Sequence, residues 1–212
     1  MTERTDIWGA ILAGGRARRL GGRGKGGLVL GGKPLIAHVR GRLAPQVGRI
    51  VVNAPADFVW TGGGGTPETV PDLTVDGRVE AFAGPLAGIL SVLEWAAERD
   101  GPGWVATVPT DTPFLPEDFV ARARTELDIG GADLACASSG GRDHAVIALW
   151  PVALAGALRR MLVEEGERRM GAVLERFRVA RIDYPAEPFD PFFNVNTFDD
   201  LAEAEHLLAS PR

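Results

Sequence analysis

The chain has 212 residues, 45% hydrophobic and 24% charged, a composition typical of one globular α/β domain and not of a disordered or fibrous protein. No apolar run is long enough to span a bilayer and no secretory leader pattern begins the chain, so a membrane or exported protein is not expected. The single cysteine, Cys136, favours the reducing cytoplasm, and the net charge of −5 argues against general nucleic-acid binding.

Taken in chain order, short apolar runs alternate with segments of helical periodicity. The apolar runs predict strands at residues 7–12, 49–53, 68–70, 104–108, 133–137 and 144–150. Helical spacing, with proline at several starts, predicts helices at residues 34–44, 85–99, 116–127, 154–163 and 170–177. This alternation predicts a Rossmann-like three-layer α/β/α fold with a mostly parallel sheet. Ligands of such sheets bind beyond the carboxyl ends of the strands, so the site is expected just after Leu12, Val52 and Val108.

Charge is distributed unevenly along the chain. Between Asp6 and Asp57 there are nine basic residues and no acidic one, whereas the remainder is strongly acidic. The basic residues are interleaved with glycines directly after the first predicted strand, which indicates a bound anion such as phosphate. The alternative interpretation is a solvated basic face without a ligand.

The glycine-rich loop after the first strand runs from Leu12 to Lys25. Its glycines permit conformations in which several backbone N–H groups point at one anion. The loop is not a standard P-loop, because Arg19 and Gly26 stand where that motif needs glycine and serine or threonine. Lys25 is one of two lysines against 21 arginines, and its compact ammonium suits contact with a single phosphoryl oxygen. Arg19 is a second candidate for the phosphates, with a solvent-facing arginine as the alternative.

A carboxylate follows the fourth predicted strand. Asp111 comes directly after the apolar run and lies between Pro109 and Pro113, which restrict its backbone. Magnesium is held in proteins by one or two carboxylates, with water and substrate phosphate oxygens completing its octahedron. Asp111 is therefore the predicted metal ligand. The alternative is that it caps the following turn.

Five motifs in this order, LAGG with the later RLGG, VVNA, GPLAG, PTDTPFLP and FFNVNT, resemble the molybdenum cofactor guanylyltransferase (MobA) family along nearly the whole chain. The resemblance implies a fold of nucleotidyltransferase type and a Mg²⁺-dependent reaction. GMP would pass from GTP to the terminal phosphate of molybdopterin or molybdenum cofactor, releasing pyrophosphate, in molybdopterin guanine dinucleotide biosynthesis. It also implies contact with cofactor-assembly proteins and molybdoenzymes, but not with nucleic acid or a membrane.

The resemblance also assigns roles to residues within one domain, whose residues 1–110 would bind the nucleotide and residues 111–212 the acceptor. The nucleotide-binding residues would be Leu12, Ala13, Gly14, Gly15, Lys25, Asn53, Asp72 and Asp111. The acceptor-binding residues would be Gly84, Gly88, Arg142, His144, Asn194 and Asn196. Catalysis would depend on Lys25, Arg19 and the metal ligand Asp111. The Asn53 amide offers a donor and an acceptor to the guanine edge.

One departure from the family pattern concerns the phosphate loop. The family usually has aspartate before the loop lysine, and this chain has Gly24, which leaves metal recruitment more dependent on Asp111. Two other functions remain open from the residues alone. A related cytidylyltransferase or sugar-nucleotide transferase would prefer another base, and a noncatalytic nucleotide-binding module would release no pyrophosphate. For His144, a structural hydrogen bond is the alternative to acceptor contact.

Overall fold

The computed structural model describes residues 6–14, 28–71, 73–75, 78–79, 84–99 and 101–209. The strands are β1 Ile7–Leu12, β2 Val29–Leu30, β3 Lys33–Pro34, β4 Arg49–Asn53, β5 Glu68–Val70, β6 Thr74–Val75, β7 Arg78–Val79, β8 Trp104–Pro109, β9 Leu134–Ser139, β10 Arg142–Pro151 and β11 Val179–Tyr184. The α-helices are α1 Leu35–Leu43, α2 Pro85–Ala97, α3 Phe119–Gly130, α4 Ala155–Arg159, α5 Met170–Glu175 and α6 Phe198–Ala209. Shorter turns of 3₁₀ type are Ala44–Gln46 and Val152–Leu154, and a π-helical turn, Arg160–Glu164, follows α4. None of the described helices combines the length and the apolarity needed to cross a membrane.

The central sheet has 7 strands in the order β11-β9-β10-β8-β1-β4-β5. β1 pairs in parallel with β4 and β8, β4 pairs in parallel with β5, and β11 pairs in parallel with β9. Among the described strands of this sheet, only β10 runs antiparallel to its neighbours, β8 and β9. Two small hairpins, β2 with β3 and β6 with β7, lie outside it. The mostly parallel Rossmann-like sheet is confirmed.

Helices cover both faces of the sheet. On one face α1 and α3 place Ile36 and Phe119 in the same buried cluster as Ile11 of β1. On the other face α2, α4 and α5 place Leu90 and Leu158 in a second cluster, together with other buried side chains of the three helices. All 6 residues of β9 are buried, because a strand covered on both faces has no solvent side. The predicted three-layer arrangement follows from these two apolar clusters.

A third, smaller cluster joins the last helix to the hairpin that follows the glycine-rich loop. Its buried members are Leu30, Leu35, Phe114, Val195 and Ala204. The Gly31 N–H, in the turn between β2 and β3, donates a 2.8 Å hydrogen bond to Glu205 Oε1 of α6. The Leu208 side chain lies directly against Gly31. Helix α6 is therefore fastened to the hairpin by a hydrogen bond and by apolar contact.

The cysteine lies inside the sheet. Cys136 of β9 is fully buried. Burial, followed by the nearby charge of Asp143, raises the pKa of the Cys136 thiol to about 12. Because the thiolate is the reactive form, this cysteine is inert in the folded protein.

Several elements differ from their predicted positions. Strand β11 and helix α6 were not predicted. Helix α3 begins at Phe119 instead of residue 116, since residues 117–118 form a turn. Residues 142 and 143, which precede the predicted strand at 144–150, are also strand, because Arg142 and Asp143 pair with Ser139 and Ser138 of β9. Strand β10 is thus longer at its amino-terminal end than its apolar run.

Helix α1 packs against β1 at Gly9. A Cβ added to Gly9 would lie 2.8 Å from Leu43 Cδ2 and 3.1 Å from Val47 Cγ2, which is closer than packed side chains approach. The absence of a side chain at this position in β1 therefore sets the distance between helix and sheet.

We expect Gly9→Ala to lower the free energy of unfolding by about 1–3 kcal/mol, because the added methyl overpacks the interface between α1 and β1. Gly41→Ala is the matched control, since Gly41 is exposed on the same helix with nothing within 4 Å of an added Cβ. The control should be stabilising by about 0.5–1 kcal/mol, through helix propensity. Urea denaturation measures both. Equal effects of the two variants would contradict the close packing at Gly9.

Candidate active site

A cavity of about 720 Å³ opens at the edge of the sheet where the parallel strands end. The end of β1 contributes Leu12, Ala13 and Gly14 to its wall, and Asp111 comes directly after β8. Pro85 at the start of α2, the first half of β10 and helix α5 complete the wall. A volume of this size suits a small-molecule ligand. The cavity lies at the sheet edge where the sequence predicted the site.

The start of the glycine-rich loop is held against the neighbouring strand. The Ala13 N–H donates a 2.8 Å hydrogen bond to the Asn53 carbonyl, which continues the pairing of β1 with β4 by one residue. Gly14 is exposed beyond this bond. Of the other predicted nucleotide and phosphate ligands, Gly15, Arg19, Lys25 and Asp72 lie outside the described residues.

Asn53, the predicted guanine contact, is 2% exposed and lies beside the cavity wall, between β5 and α2. Its Nδ2 donates to the Val70 and Pro71 carbonyls at 3.3 and 3.4 Å. A Cβ added to Gly88 would lie 2.5 Å from Asn53 Oδ1. Gly88, predicted to contact the acceptor, therefore packs against the residue predicted to contact the base.

Gly84 is the residue immediately before α2. Its φ of 74° lies in the left-handed region that favours glycine, and its carbonyl accepts a 3.2 Å hydrogen bond from the Ala87 N–H. This conformation turns the chain into the helix and leaves Pro85 on the cavity wall. A side chain at residue 84 would strain the turn.

Asp111 is positioned by the segment that precedes α6. Its carbonyl accepts a 2.9 Å hydrogen bond from the Val195 N–H, and the hydroxyl of buried Thr112 donates to Asn194 Oδ1 at 3.0 Å. Both Asp111 and Asn194 line the cavity. Two motifs far apart in the sequence, PTDTPF and FFNVNT, are thus joined at one wall of the site.

Asn196 lies at the start of α6 and is exposed. Its N–H and that of Thr197 both donate to Asp200 Oδ2 at 2.8 Å, and the Asp200 N–H donates to Thr197 Oγ1 at 3.1 Å. This reciprocal pattern is a capping box, which satisfies the free N–H groups at a helix start. Asn196 therefore lies next to the helix cap, whereas Asn194 faces the cavity.

The opposite wall is formed by β10 and carries both signs of charge. Arg142 is exposed at the mouth, and Asp143 accepts two hydrogen bonds of 3.0 Å from the Arg181 guanidinium. Glu175 of α5 and His144 also line this wall. The pairing of β10 with β9 shifts register between His144 and Ala148, an irregularity typical of strands next to active sites.

His144 is held from behind by polar groups. Its Nε2 lies 2.7 Å from Ser139 Oγ, which in turn donates a 2.8 Å hydrogen bond to Asp190 Oδ1. Burial, the largest influence, lowers the pKa of His144 below its usual value, and the nearby Arg142 acts in the same direction. Sequence reasoning missed Ser139, Asp190 and Arg181, and nothing in the local pattern points to them, since Ser139 and Asp190 are 51 positions apart.

The donor groups of the cavity fit one class of metal ion. Among the described residues there is no group of three or more His, Cys, Asp or Glu side chains that could hold one. Of the described carboxylates that line the cavity, Asp143 is paired with Arg181 and Glu175 belongs to α5, whereas Asp111 directly follows β8, next to the strand from which the glycine-rich loop departs. This arrangement fits Mg²⁺, which takes one or two protein carboxylates and completes its shell with water and substrate phosphates.

Known proteins are similar to this chain in both sequence and structure. The family model described as MobA-like NTP transferase domain matches residues 9–179. A molybdenum cofactor guanylyltransferase of Bradyrhizobium sp. (strain ORS 278) is 46% identical over 209 residues, covering 97% of this chain and 94% of that relative. A protein of the same name from Rhizobium leguminosarum bv. trifolii (strain WSM2304) is 42% identical over 221 residues, covering 100% of both chains.

Two solved structures have the same architecture. Molybdopterin-guanine dinucleotide biosynthesis protein A from Archaeoglobus fulgidus has a TM-score of 0.70 and 26% identity, covering 95% of this chain and 98% of that chain. A 4-diphosphocytidyl-2C-methyl-D-erythritol synthase from Anaerococcus prevotii has a TM-score of 0.68 and covers 98% of this chain and 100% of that chain. At 12% identity the second likeness concerns the fold alone. The predicted fold of nucleotidyltransferase type is confirmed.

We expect Thr112→Val to lower the free energy of unfolding by about 1–2 kcal/mol, because it removes the hydrogen bond to Asn194 at constant side-chain shape. Thr125→Val is the control, since Thr125 is exposed and its hydroxyl donates to the Ala121 carbonyl within the same helix, α3. The control should change stability by less than about 0.5 kcal/mol. Urea denaturation of both variants measures the difference. A Thr112 variant as stable as the control would show that this junction does not hold the two segments.

Proposed function

The chain belongs to the MobA-like NTP transferase family, and we propose on that premise that it is a molybdenum cofactor guanylyltransferase. It transfers GMP from GTP to the terminal phosphate of molybdopterin or its molybdenum-loaded form and releases pyrophosphate. The family resemblance noted in the motifs is confirmed. The observation that carries the proposed reaction is a cavity that has the end of β1 and Asp111 on one side and the polar start of β10 on the other.

In the proposed reaction, an oxygen of the acceptor phosphate attacks the α-phosphorus of GTP. A new phosphorus–oxygen bond forms to GMP, and the bond from the α-phosphorus to the bridging oxygen breaks, so that pyrophosphate leaves with the electron pair. A phosphate monoester has a second pKa of about 6 and is largely ionised at neutral pH. No protein base is required, and the chain contributes alignment and charge stabilisation.

GTP is proposed to occupy the side formed by residues 1–110. Backbone N–H groups of the loop that begins at Gly14 would bind its phosphates, with Lys25 and Arg19 supplying positive charge. The Leu12 and Ala13 positions support this placement, because both line the cavity at the end of β1. Asn53 is proposed to contact the guanine from beside the cavity, and Gly15 and Asp72 keep the roles that the family resemblance implies.

Asp111 is the residue proposed to hold Mg²⁺. The ion supplies charge neutralisation and orientation for the phosphates when it is bound. The chain contributes a carboxylate whose main chain is held through the Val195 N–H, which fixes the point on the cavity wall from which the side chain extends. With Gly24 in place of the usual loop aspartate, the protein's share of the metal shell is proposed to depend on this carboxylate.

The acceptor is proposed to occupy the side formed by residues 111–212. Arg142, His144 and Asn194 line that side of the cavity and are its proposed contacts. Gly84 and Gly88 belong to the nucleotide half in sequence, and their proposed role is to shape the start of α2 between the two ligands. Asn196, next to the cap of α6, keeps the acceptor-binding role that the family resemblance implies. Cofactor-assembly proteins and molybdoenzymes are the proposed protein partners, and cytoplasm the proposed location.

Pyrophosphate release tests the reaction directly. With Mg²⁺ and molybdopterin, we expect release with GTP and little with CTP or ATP, and none after chelation of the metal. Asp111→Asn should lower kcat by about 100-fold or more, because it removes the metal-binding charge while retaining the side-chain shape. Glu126→Gln is the matched control, since Glu126 is exposed on α3 away from the cavity wall, and it should leave the rate unchanged.

Other results would change the assignment. Preference for CTP would place the enzyme among the cytidylyltransferases. Binding of GTP without pyrophosphate release from any acceptor would indicate the noncatalytic module. An Asp111 variant with normal activity would contradict the proposed metal ligand.

The packing of Gly88 against Asn53 gives a second prediction. We expect Gly88→Ala to raise the KM for GTP about fivefold to tenfold, because the new methyl must displace the Asn53 amide and weaken about one hydrogen bond to the base. Gly156→Ala is the control, since nothing lies within 4 Å of a Cβ added to Gly156 on α4. Steady-state kinetics at saturating acceptor measure both. A rise in the acceptor KM alone would instead place Gly88 on the acceptor side.

A further inference from the structure

A chain of three polar side chains lies behind the acceptor wall of the cavity. Ser139 ends β9, His144 belongs to β10, and Asp190 lies in the segment after β11. Ser139 Oγ is 2.7 Å from His144 Nε2 and 2.8 Å from Asp190 Oδ1. Ser139 is 2% exposed, so its hydroxyl has little access to water as an alternative partner.

The chemistry of this chain determines where its protons are. The Asp190 carboxylate can only accept, and its Oδ1 also receives a 2.8 Å hydrogen bond from the Phe192 N–H. The single Ser139 hydroxyl proton therefore points to Asp190. The Ser139 oxygen is left as an acceptor, so the proton shared with the imidazole belongs to His144 Nε2. Neutral His144 is fixed as the tautomer with an unprotonated Nδ1.

The Nδ1 atom is the remaining polar group of the ring. His144 lines the cavity, and within the part of the chain that the structure describes no hydrogen bond is made to its Nδ1. The ring is also packed against Phe192, with centroids 4.7 Å apart and planes at 41°. One face of the ring and its Nε2 are thus occupied by the protein, while an acceptor lone pair is left for a ligand.

The surrounding charges favour the neutral ring. Burial is the largest influence and lowers the pKa of His144, Asp190 opposes this, Arg142 lowers the pKa further, and Asp143 raises it. Arg181 of β11 pairs with Asp143 and so offsets its charge. Because the pKa lies below its ordinary value of 6.5, the ring is uncharged at neutral pH.

We propose that His144 presents Nδ1 as a hydrogen-bond acceptor to a ring N–H of the acceptor's pterin, and that Ser139 and Asp190 are positioning residues that fix this tautomer. The inference rests on the proposed function and deepens it. A pterin ring carries N–H donors, which match a neutral imidazole lone pair. An ionised phosphate carries only acceptors and would be repelled there, so His144 recognises the heterocycle and not the phosphate.

Two substitutions separate the two ring nitrogens. Asparagine places an amide oxygen near the position of Nδ1, whereas glutamine reaches the position of Nε2 and Ser139. We expect His144→Gln to raise the KM for molybdopterin about fivefold, with kcat and the KM for GTP little changed, because one hydrogen bond is lost. We expect the molybdopterin KM of His144→Asn to stay within about twofold of the wild-type value, because one hydrogen-bond acceptor is retained. A larger rise in the molybdopterin KM for His144→Asn than for His144→Gln would overturn the proposal, and so would a parallel rise in the KM for GTP.

The positioning role needs a separate measurement. Ser139→Ala should raise the molybdopterin KM in the wild-type background and have no further effect in the His144→Asn background, because it acts through the imidazole. The same increase in both backgrounds would show a merely structural serine and overturn its assigned role.

The pH profile provides an independent test. The wild-type molybdopterin KM should rise as pH falls through the lowered pKa of His144, because protonation of Nδ1 removes the acceptor. His144→Asn retains the titration of the ligand phosphate but lacks that of the ring, so the difference between the two profiles reports His144. Identical profiles would overturn the proposal. If the wild type releases no pyrophosphate, the proposed function is refuted. If it releases pyrophosphate normally and the variants have the wild-type molybdopterin KM, only the proposal for His144 is refuted.

Discussion

Strand β10 runs against both of its neighbours, and the composition of the cavity depends on this direction. Parallel strands deliver their carboxyl ends to one edge of a sheet, and a reversed strand delivers its amino-terminal end to the same edge. Ala148 pairs with Thr107 and Pro151 with Trp104, and this register sets Val146 opposite Pro109, so residues before Val146 extend past the end of β8. The wall opposite β1 is therefore made of a strand and not of a loop, and its side chains are held by the sheet.

Long-range hydrogen bonds connect the cavity wall to the segment between β11 and α6. The Val195 N–H and Asn194 join the segment around Asp111, and Asp190 reaches Ser139 behind His144. The same stretch leads into α6, whose far end is fastened to the hairpin after the glycine-rich loop. The residues between β11 and α6 are consequently in contact with the segment that carries Asp111, with the residues behind His144 and, through the helix, with the hairpin of β2 and β3.

The parts of the molecule that were predictable are those with local signals. Buried parallel strands such as Ile7–Leu12 and Trp104–Pro109 are apolar runs ended by loop residues, and Asp111 could be placed because it comes directly after one of them. Strand β11, Val179–Tyr184, also carries a local signal, because charged exposed residues alternate with buried ones from Arg181 to Tyr184, yet it was not predicted. Ser139 and Asp190 could not be predicted from the sequence, because their roles arise from contacts between distant segments. For the same reason, the packing of Gly88 on Asn53 could not be read from spacing.

The burial of Cys136 has a practical consequence for experiments in solution. With its only thiol inside β9 and poorly ionised, the folded protein behaves toward alkylating and fluorescent maleimide reagents as if it contained no cysteine. A single exposed replacement such as Glu203→Cys on α6 would be the one site modified, without prior removal of the native residue. Because α6 contacts the hairpin that follows the glycine-rich loop, the fluorescence of a dye attached there would show whether this contact changes when GTP is added.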